Sequence, residues 1–118
     1  MRISAGGSTN LPGEYGGVYT RIQQTENSRP IWWKLTDQVS YYISFSSDGN
    51  WEVYHDLSEF ERDDTRKVSM RSVNVRTNEL PFSGWEVEVG GTFVQDPLVT
   101  VNGEHFLFCE DLPDYPQS

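Results

Sequence analysis

The stretch VSYYISFSSDGNWEVYH, residues 39–55, decides the fold of this protein. Both halves alternate inward and outward residues with a period of two, which is typical of strands that bury one face. The Asp48-Gly49 pair between two such runs is a strong short-range signal for a hairpin. We therefore predict that residues 39–46 pair antiparallel with residues 50–55.

The same period of two recurs through most of the chain and predicts an all-β fold. The Gly90-Gly91 and Asn102-Gly103 pairs are typical of tight turns between strands. We predict a single antiparallel β-barrel or sandwich of about eight short strands in a meander, with at most one short helical turn near residues 57–64. Besides the central hairpin, strands are predicted at residues 17–23, 31–35, 67–76, 85–89, 92–95, 98–102 and 105–109.

One strand carries an irregular pattern. Val68 and Met70 share one parity, whereas Val73 and Val75 share the other. This change predicts a β-bulge near Arg71-Ser72.

The composition of the two ends predicts the domain boundaries. A chain of 118 residues and 13.6 kDa has the size of one domain. Residues 1–10 are rich in small polar residues and are predicted to be a flexible lead-in. Residues 11–110 are predicted to form the single all-β domain, and residues 111–118, with two prolines, an extended tail.

The charge balance excludes some classes of partner. The formal net charge is −9, from 18 acidic and 9 basic residues, and no Lys/Arg cluster interrupts it. Nucleic acid and anionic membrane surfaces are therefore not expected as partners. Cys109 is the only cysteine, so no disulfide within the chain is expected. As it stands the chain is expected to be soluble and cytoplasmic, or a module of a larger extracellular protein.

Motifs for catalysis, metals and cofactors are absent from the sequence. His55 and His105 are far apart, and Cys109 follows an apolar run rather than an activating group. The sequence contains no Gly-x-Ser-x-Gly nucleophile motif, and no glycine-rich phosphate loop precedes a helix. We predict no catalytic residue, no metal and no cofactor, and the pattern favours a protein that is not an enzyme.

The aromatic residues are the remaining candidates for function. Neighbours such as Trp32 and Trp33 cannot face the same side of a regular strand. With Ile31, Trp33 and Leu35 turned toward the core, Trp32 faces outward, and three tyrosines share this outward parity. The predicted binding residues are Trp32, Tyr42, Tyr54, Tyr19, Arg29 and Arg21, with the two arginines at the rim. The alternative is that these rings cover a second, smaller core.

These residues favour a non-catalytic binding module that recognises protein or carbohydrate through exposed rings on a sheet. The alternative is a small β-barrel enzyme or small-ligand carrier with a central pocket. A third hypothesis is a structural unit whose copies form a homo-oligomer by pairing their edge strands.

A series of short landmarks spans residues 17–101. With them the chain resembles a small repeat-like module found in proteins of protists and marine invertebrates, and this resemblance implies one all-β unit. High acidity and a longer "LSEFERDDTRK" connection distinguish this chain from that pattern. The landmarks are Gly17-Val18-Tyr19, Asn27-Ser28-Arg29-Pro30-Ile31-Trp32, Tyr41-Tyr42-Ile43, Trp51-Glu52-Val53, Pro81-Phe82-Ser83-Gly84-Trp85 and Asp96-Pro97-Leu98-Val99-Thr100-Val101.

Overall fold

The computed structural model describes residues 1–55, 66–72 and 80–102, and strands dominate this part of the chain. The expected helical turn near 57–64, the strand at 105–109, the tail at 111–118 and Cys109 lie outside the described residues. The strands are β1 (Arg2–Ser4), β2 (Gly17–Val18), β3 (Thr20–Glu26), β4 (Arg29–Thr36), β5 (Val39–Phe45), β6 (Trp51–His55), β7 (Val68–Ser72), β8 (Trp85–Val89), β9 (Thr92–Gln95) and β10 (Thr100–Asn102), and a 3-10 turn covers Gly13–Tyr15.

These strands form two antiparallel sheets. The large sheet has seven strands in the order β3-β4-β5-β6-β7-β8-β9, so that each strand lies beside its neighbour in sequence. The small sheet has the order β10-β1-β2. The main core contains side chains from both sheets, such as Ile3 and Val101 from the small sheet and Ile43 and Val53 from the large one. The prediction of an antiparallel all-β meander is confirmed, and the described strands form an open two-sheet arrangement rather than a closed barrel.

The central hairpin has the predicted pairing. Strands β5 and β6 are in register from Tyr41 opposite His55 to Phe45 opposite Trp51. The Ser46 N–H donates to the Asn50 carbonyl at 2.8 Å and closes the turn. Gly49 has a φ of +91°, a conformation that residues with a Cβ rarely adopt.

Two further hairpin turns were not predicted from the sequence. Asn27-Ser28 joins β3 to β4 and Asp37-Gln38 joins β4 to β5, with φ between +51° and +66° at all four residues. Positive φ at both central residues is the geometry of a type I′ turn, which matches the twist of the paired strands. Because each loop has only two residues, it also fixes which residues of β3, β4 and β5 lie opposite one another.

The bulge in β7 lies elsewhere than predicted. Strands β7 and β8 pair regularly through Ser72, so the prediction of a bulge near Arg71-Ser72 is wrong for the described part of this strand. Instead, Met70 lies opposite Val53 and Val68 lies opposite Tyr54, which leaves Ser69 as the extra residue. This bulge sends Val68 and Met70 to opposite faces despite their equal parity.

The N-terminal residues are part of the sandwich. Residues 2–4 form the central strand of the small sheet, and Ile3 is buried in the main core. The prediction of a flexible lead-in over residues 1–10 is therefore wrong at this strand, because its backbone pairs on both sides. Gly6 is also constrained, since a Cβ there would approach the Leu98 carbonyl oxygen to 2.2 Å.

A hydrogen-bonded clasp around Asp96 ties this segment to the turn before β10. The buried Asp96 carboxylate accepts from the Ser8 hydroxyl, from Asn10 Nδ2 at 3.1 Å and from the Leu98 N–H at 3.1 Å. The Ser8 hydrogen bond, followed by those from Asn10 and Leu98, holds the pKa of Asp96 below its ordinary value although burial opposes this.

The clasp predicts an acid-sensitive contribution to stability. Because the pKa is lower in the folded chain, this contribution is present above the ordinary carboxyl pKa of about 4 and is lost as the pH falls through the folded-state value. We expect Asp96→Asn to lower the free energy of unfolding at pH 7 by about 1–3 kcal/mol. Urea unfolding from pH 7 to pH 2 should show a steeper acid loss for the natural protein than for the variant. Parallel curves for the two proteins would contradict this role.

Candidate functional site

Three of the six predicted binding residues are buried. Tyr19, Tyr42 and Tyr54 have exposed fractions of 1%, 0% and 0%. Tyr19 lies in the main core and donates its hydroxyl to the Tyr15 carbonyl at 2.7 Å. The expected platform of exposed tyrosines is therefore wrong, because parity assigns a ring to a face and does not determine whether that face is covered.

Tyr42 and Tyr54 belong to a second core cluster on the opposite face of the large sheet. Their ring centroids are 5.6 Å apart, and Ile22, Ile31 and Trp33 pack with them. This arrangement matches the alternative interpretation of the sequence, in which outward rings cover a second, smaller core.

A polar network borders this second cluster. The Arg66 guanidinium lies 4.2 Å from the centre of the Tyr54 ring. It donates to Glu26 at 2.9 and 2.5 Å and to the Ser44 hydroxyl at 2.8 Å. A hydrogen bond of 2.7 Å joins Ser44 and the Tyr54 hydroxyl, and burial raises the pKa of Tyr54. The dense internal hydrogen bonding assigns this network to stability.

The two neighbouring tryptophans face opposite sides, but not as predicted. Trp32 lies opposite Ile43, whose side chain is in the main core, and Trp33 lies opposite Tyr42 in the second cluster. The expected inward set of Ile31, Trp33 and Leu35 is therefore wrong for the main core. The two-residue turn at Asp37-Gln38 sets this register. Trp32 nevertheless remains partly exposed.

Ring contacts connect Trp32 to Arg29, and strand pairing places Arg21 opposite Trp32. Trp32 packs against Trp51 with centroids 5.9 Å apart, and Trp51 packs against Phe45 at 5.2 Å. The Arg29 guanidinium carbon lies 3.9 Å from the centre of the Phe45 ring. Arg21 lies directly opposite Trp32 across β3 and β4. We call these five residues, Arg21, Arg29, Trp32, Phe45 and Trp51, the cationic aromatic surface.

The polar atoms of this surface have few protein partners. Arg29 donates to the Asn27 carbonyl at 3.0 Å, and neither Arg21 nor Arg29 pairs with a carboxylate within residues 1–55, 66–72 and 80–102. Arg21 Nε, Arg29 Nε and Trp51 Nε1 are buried and find no acceptor in those same ranges. By contrast, Arg66 and Arg71 each pair with a glutamate. Arginines without a carboxylate are informative in a chain with twice as many acidic as basic residues.

The structure contains another cluster that was not predicted from the sequence. Lys34, Tyr41 and His55 lie side by side on three neighbouring strands, and Tyr15 from the 3-10 turn packs edge-on against Tyr41. A 2.6 Å hydrogen bond joins the Tyr15 hydroxyl to His55 Nδ1. No local sequence motif indicates this cluster, because 40 residues separate Tyr15 from His55.

Lys34 gives this cluster a structural role. Its ammonium donates to the Gly16 carbonyl at 2.6 Å and to the Glu14 carbonyl, which anchors the 3-10 turn to the large sheet. Burial lowers the pKa of Lys34, with an opposing effect from the Glu14 carboxylate. Burial also raises the pKa of Tyr41, and the charges of Glu14 and Asp37 add to this effect.

Residues 1–55, 66–72 and 80–102 contain neither a cluster of metal-ligating side chains nor an apolar helix of membrane-spanning length. No group of three or more His, Cys, Asp and Glu side chains is arranged there to hold a metal ion. Nor does that part of the chain contain a helix long and apolar enough to span a bilayer.

Comparison with models of protein families, with curated proteins and with solved structures gives no match to this chain. The resemblance to a repeat-like module therefore stays a prediction.

Proposed function

We propose that this protein is a non-catalytic binding module that recognises protein or carbohydrate through the cationic aromatic surface. One observation carries the proposal. A partly exposed tryptophan, Trp32, lies opposite Arg21, and ring contacts through Trp51 and Phe45 connect it to Arg29. Neither arginine has a carboxylate partner within the described ranges.

The composition of this surface is that of a binding site. Tryptophan and arginine are the residues most enriched among those that dominate binding energies. A tryptophan offers a large apolar face together with an N–H donor, and an arginine offers a planar set of donors. Both types are present in the cationic aromatic surface.

The packing beneath the surface also supports binding. Trp51 and Phe45 are almost fully buried, and they contact Trp32 and Arg29 respectively. Side chains that are already ordered lose little conformational entropy when a ligand arrives. The surface is therefore preorganised on a rigid sheet.

The alternative of a barrel enzyme or small-ligand carrier has less support. The described strands form two open sheets, and large side chains from both fill the main core between them. No observation on this part of the chain favours a central ligand cavity.

The neighbouring tryptophans provide a matched test. Screening glycan and peptide arrays identifies a ligand, and calorimetry then measures its dissociation constant. Trp32→Ala is expected to weaken binding by about thirtyfold or more, as for residues that dominate an interface. Trp33→Ala is the control, since this residue is also partly exposed but packs on the opposite face.

Thermal unfolding of both variants separates lost binding from lost folding. Equal losses of affinity in the two variants would contradict a site at Trp32. The absence of any ligand from both arrays would contradict the proposed function itself.

A further inference from the structure

We infer that the ligand of the cationic aromatic surface is an acidic saccharide, in which a sugar ring stacks on Trp32 while carboxylates of the saccharide bind Arg21 and Arg29. This inference rests on the proposed function and names the chemistry of its ligand.

The first step is the charge of the surface. The chain carries a net charge of −9, yet Arg21 and Arg29 lie on this surface without a carboxylate partner in the described residues. A guanidinium is shaped for a planar group with two oxygens, and such pairs form two parallel hydrogen bonds. A ligand with a carboxylate supplies the hydrogen-bond partner that Arg21 and Arg29 lack among the described residues.

The second step is desolvation. The Nε atoms of Arg21 and Arg29 are buried without an acceptor among the described residues. Burying part of a guanidinium without a hydrogen-bond partner opposes folding. An anion held by the outer nitrogens of the same groups offsets this cost, because it interacts with the whole delocalised charge.

The third step is the placement of ring and charge. Arg21 lies directly opposite Trp32 on the neighbouring strand. Residues in such positions have Cβ atoms about 4.5–5.5 Å apart, so one compact ligand can contact both. A uronic acid has an apolar ring face and a carboxylate within one such unit. An aspartate or glutamate of a peptide brings the carboxylate but no ring to cover the indole.

The fourth step concerns the edge of the sheet. A peptide that adds as an extra strand needs a regular edge, and β3 is the edge strand beside this surface. Its register with β4 shifts between Ile22 and Thr25, which interrupts the regular pattern of the strand. This bulge disfavours a bound peptide strand and leaves the sheet face as the place for a ligand.

Calorimetry with a defined probe tests the inference. The probe is a tetrasaccharide of galacturonic acid, and the reference is the same tetrasaccharide with every carboxyl group methyl-esterified. We expect the acid to bind at least about tenfold more tightly than the ester, since a charged hydrogen bond is lost in the latter. Raising the salt concentration should narrow this difference.

Matched variants locate the charge. Arg21→Gln and Arg29→Gln are each expected to weaken binding of the acid about tenfold or more and to leave binding of the ester nearly unchanged. Arg71→Gln is the control, because this arginine pairs with Glu86 and stacks on Phe93 instead. A loss equal to that in the control would overturn the assignment to Arg21 and Arg29.

The outcomes separate this inference from the proposed function. Equal binding of acid and ester, with both sensitive to Trp32→Ala, would overturn the acidic ligand and keep the binding module. Binding of a glutamate-rich peptide of equal charge without binding of the tetrasaccharide would overturn the saccharide class. Tight binding of other glycans with an affinity that Trp32→Ala leaves unchanged would overturn the site that both proposals share.

Discussion

Replacing Arg66 with methionine is expected to lower the free energy of unfolding by about 3–5 kcal/mol. The Arg66 side chain is 1% exposed, and its guanidinium lies within 2.5 Å of Glu26 and 3.7 Å of Glu52. Removing it leaves two carboxylates with little access to water and without their shared cation. Chemical denaturation at pH 7 measures the loss.

The variant Arg71→Met serves as the control. The side chains of Arg71 and Glu86 are 39% and 20% exposed. An ion pair with this much solvent exposure contributes about 0–1 kcal/mol to the free energy of unfolding. Adding Glu26→Gln to Arg66→Met should recover part of the lost stability, because it removes one of the two carboxylate charges that Arg66 neutralises in the natural protein. A cost for Arg66→Met no greater than that for Arg71→Met would show that the network contributes little to stability.

Replacing Trp85 with alanine is the second large effect, with an expected cost of about 3–5 kcal/mol. Trp85 is 0% exposed, lies in the main core and donates its indole N–H to the Pro81 carbonyl at 3.0 Å. The substitution removes the buried ring and leaves a cavity that its rigid neighbours cannot close. Denaturant unfolding followed by circular dichroism measures the change.

Two further variants serve as controls for Trp85→Ala. Phe82→Ala removes an aromatic ring that is 58% exposed, so its expected effect is within about 0.5 kcal/mol. Trp85→Phe keeps an aromatic ring and removes the hydrogen bond, and its cost should fall between the other two. A Trp85→Ala protein as stable as Phe82→Ala would contradict the placement of Trp85 in the core.

The sequence predicted the parts of the fold that depend on local patterns. Alternation from Val39 to Phe45 and the Asp48-Gly49 pair specified a hairpin that the structure contains. Gly90-Gly91 likewise predicted the pairing of β8 with β9. In these cases, the strand period and the turn chemistry lie within one short stretch of chain, and long-range packing is not needed to interpret them.

The candidate site was only half predictable for a physical reason. Parity sorts residues between two faces, but a ring is exposed only if nothing packs over it. Other side chains cover Tyr42 and Tyr54 completely, whereas Trp32 is only partly covered. The assignment of Trp32 and Trp33 depended on the turn at Asp37-Gln38, which lacks the glycine that usually marks such a turn. The network of Arg66 joins residues far apart in sequence, so no local spacing reveals it.

The pairing of β1 with β10 has a consequence for how the protein is made. Strand β1 lies between β2 and β10 in the small sheet, and it precedes both of them in the chain. The small sheet therefore cannot close during early translation, and its closure has the slow kinetics of contacts between distant parts of a chain. Until β10 has been synthesised, Ile3 lacks Val101, the residue that lies opposite it in the folded protein.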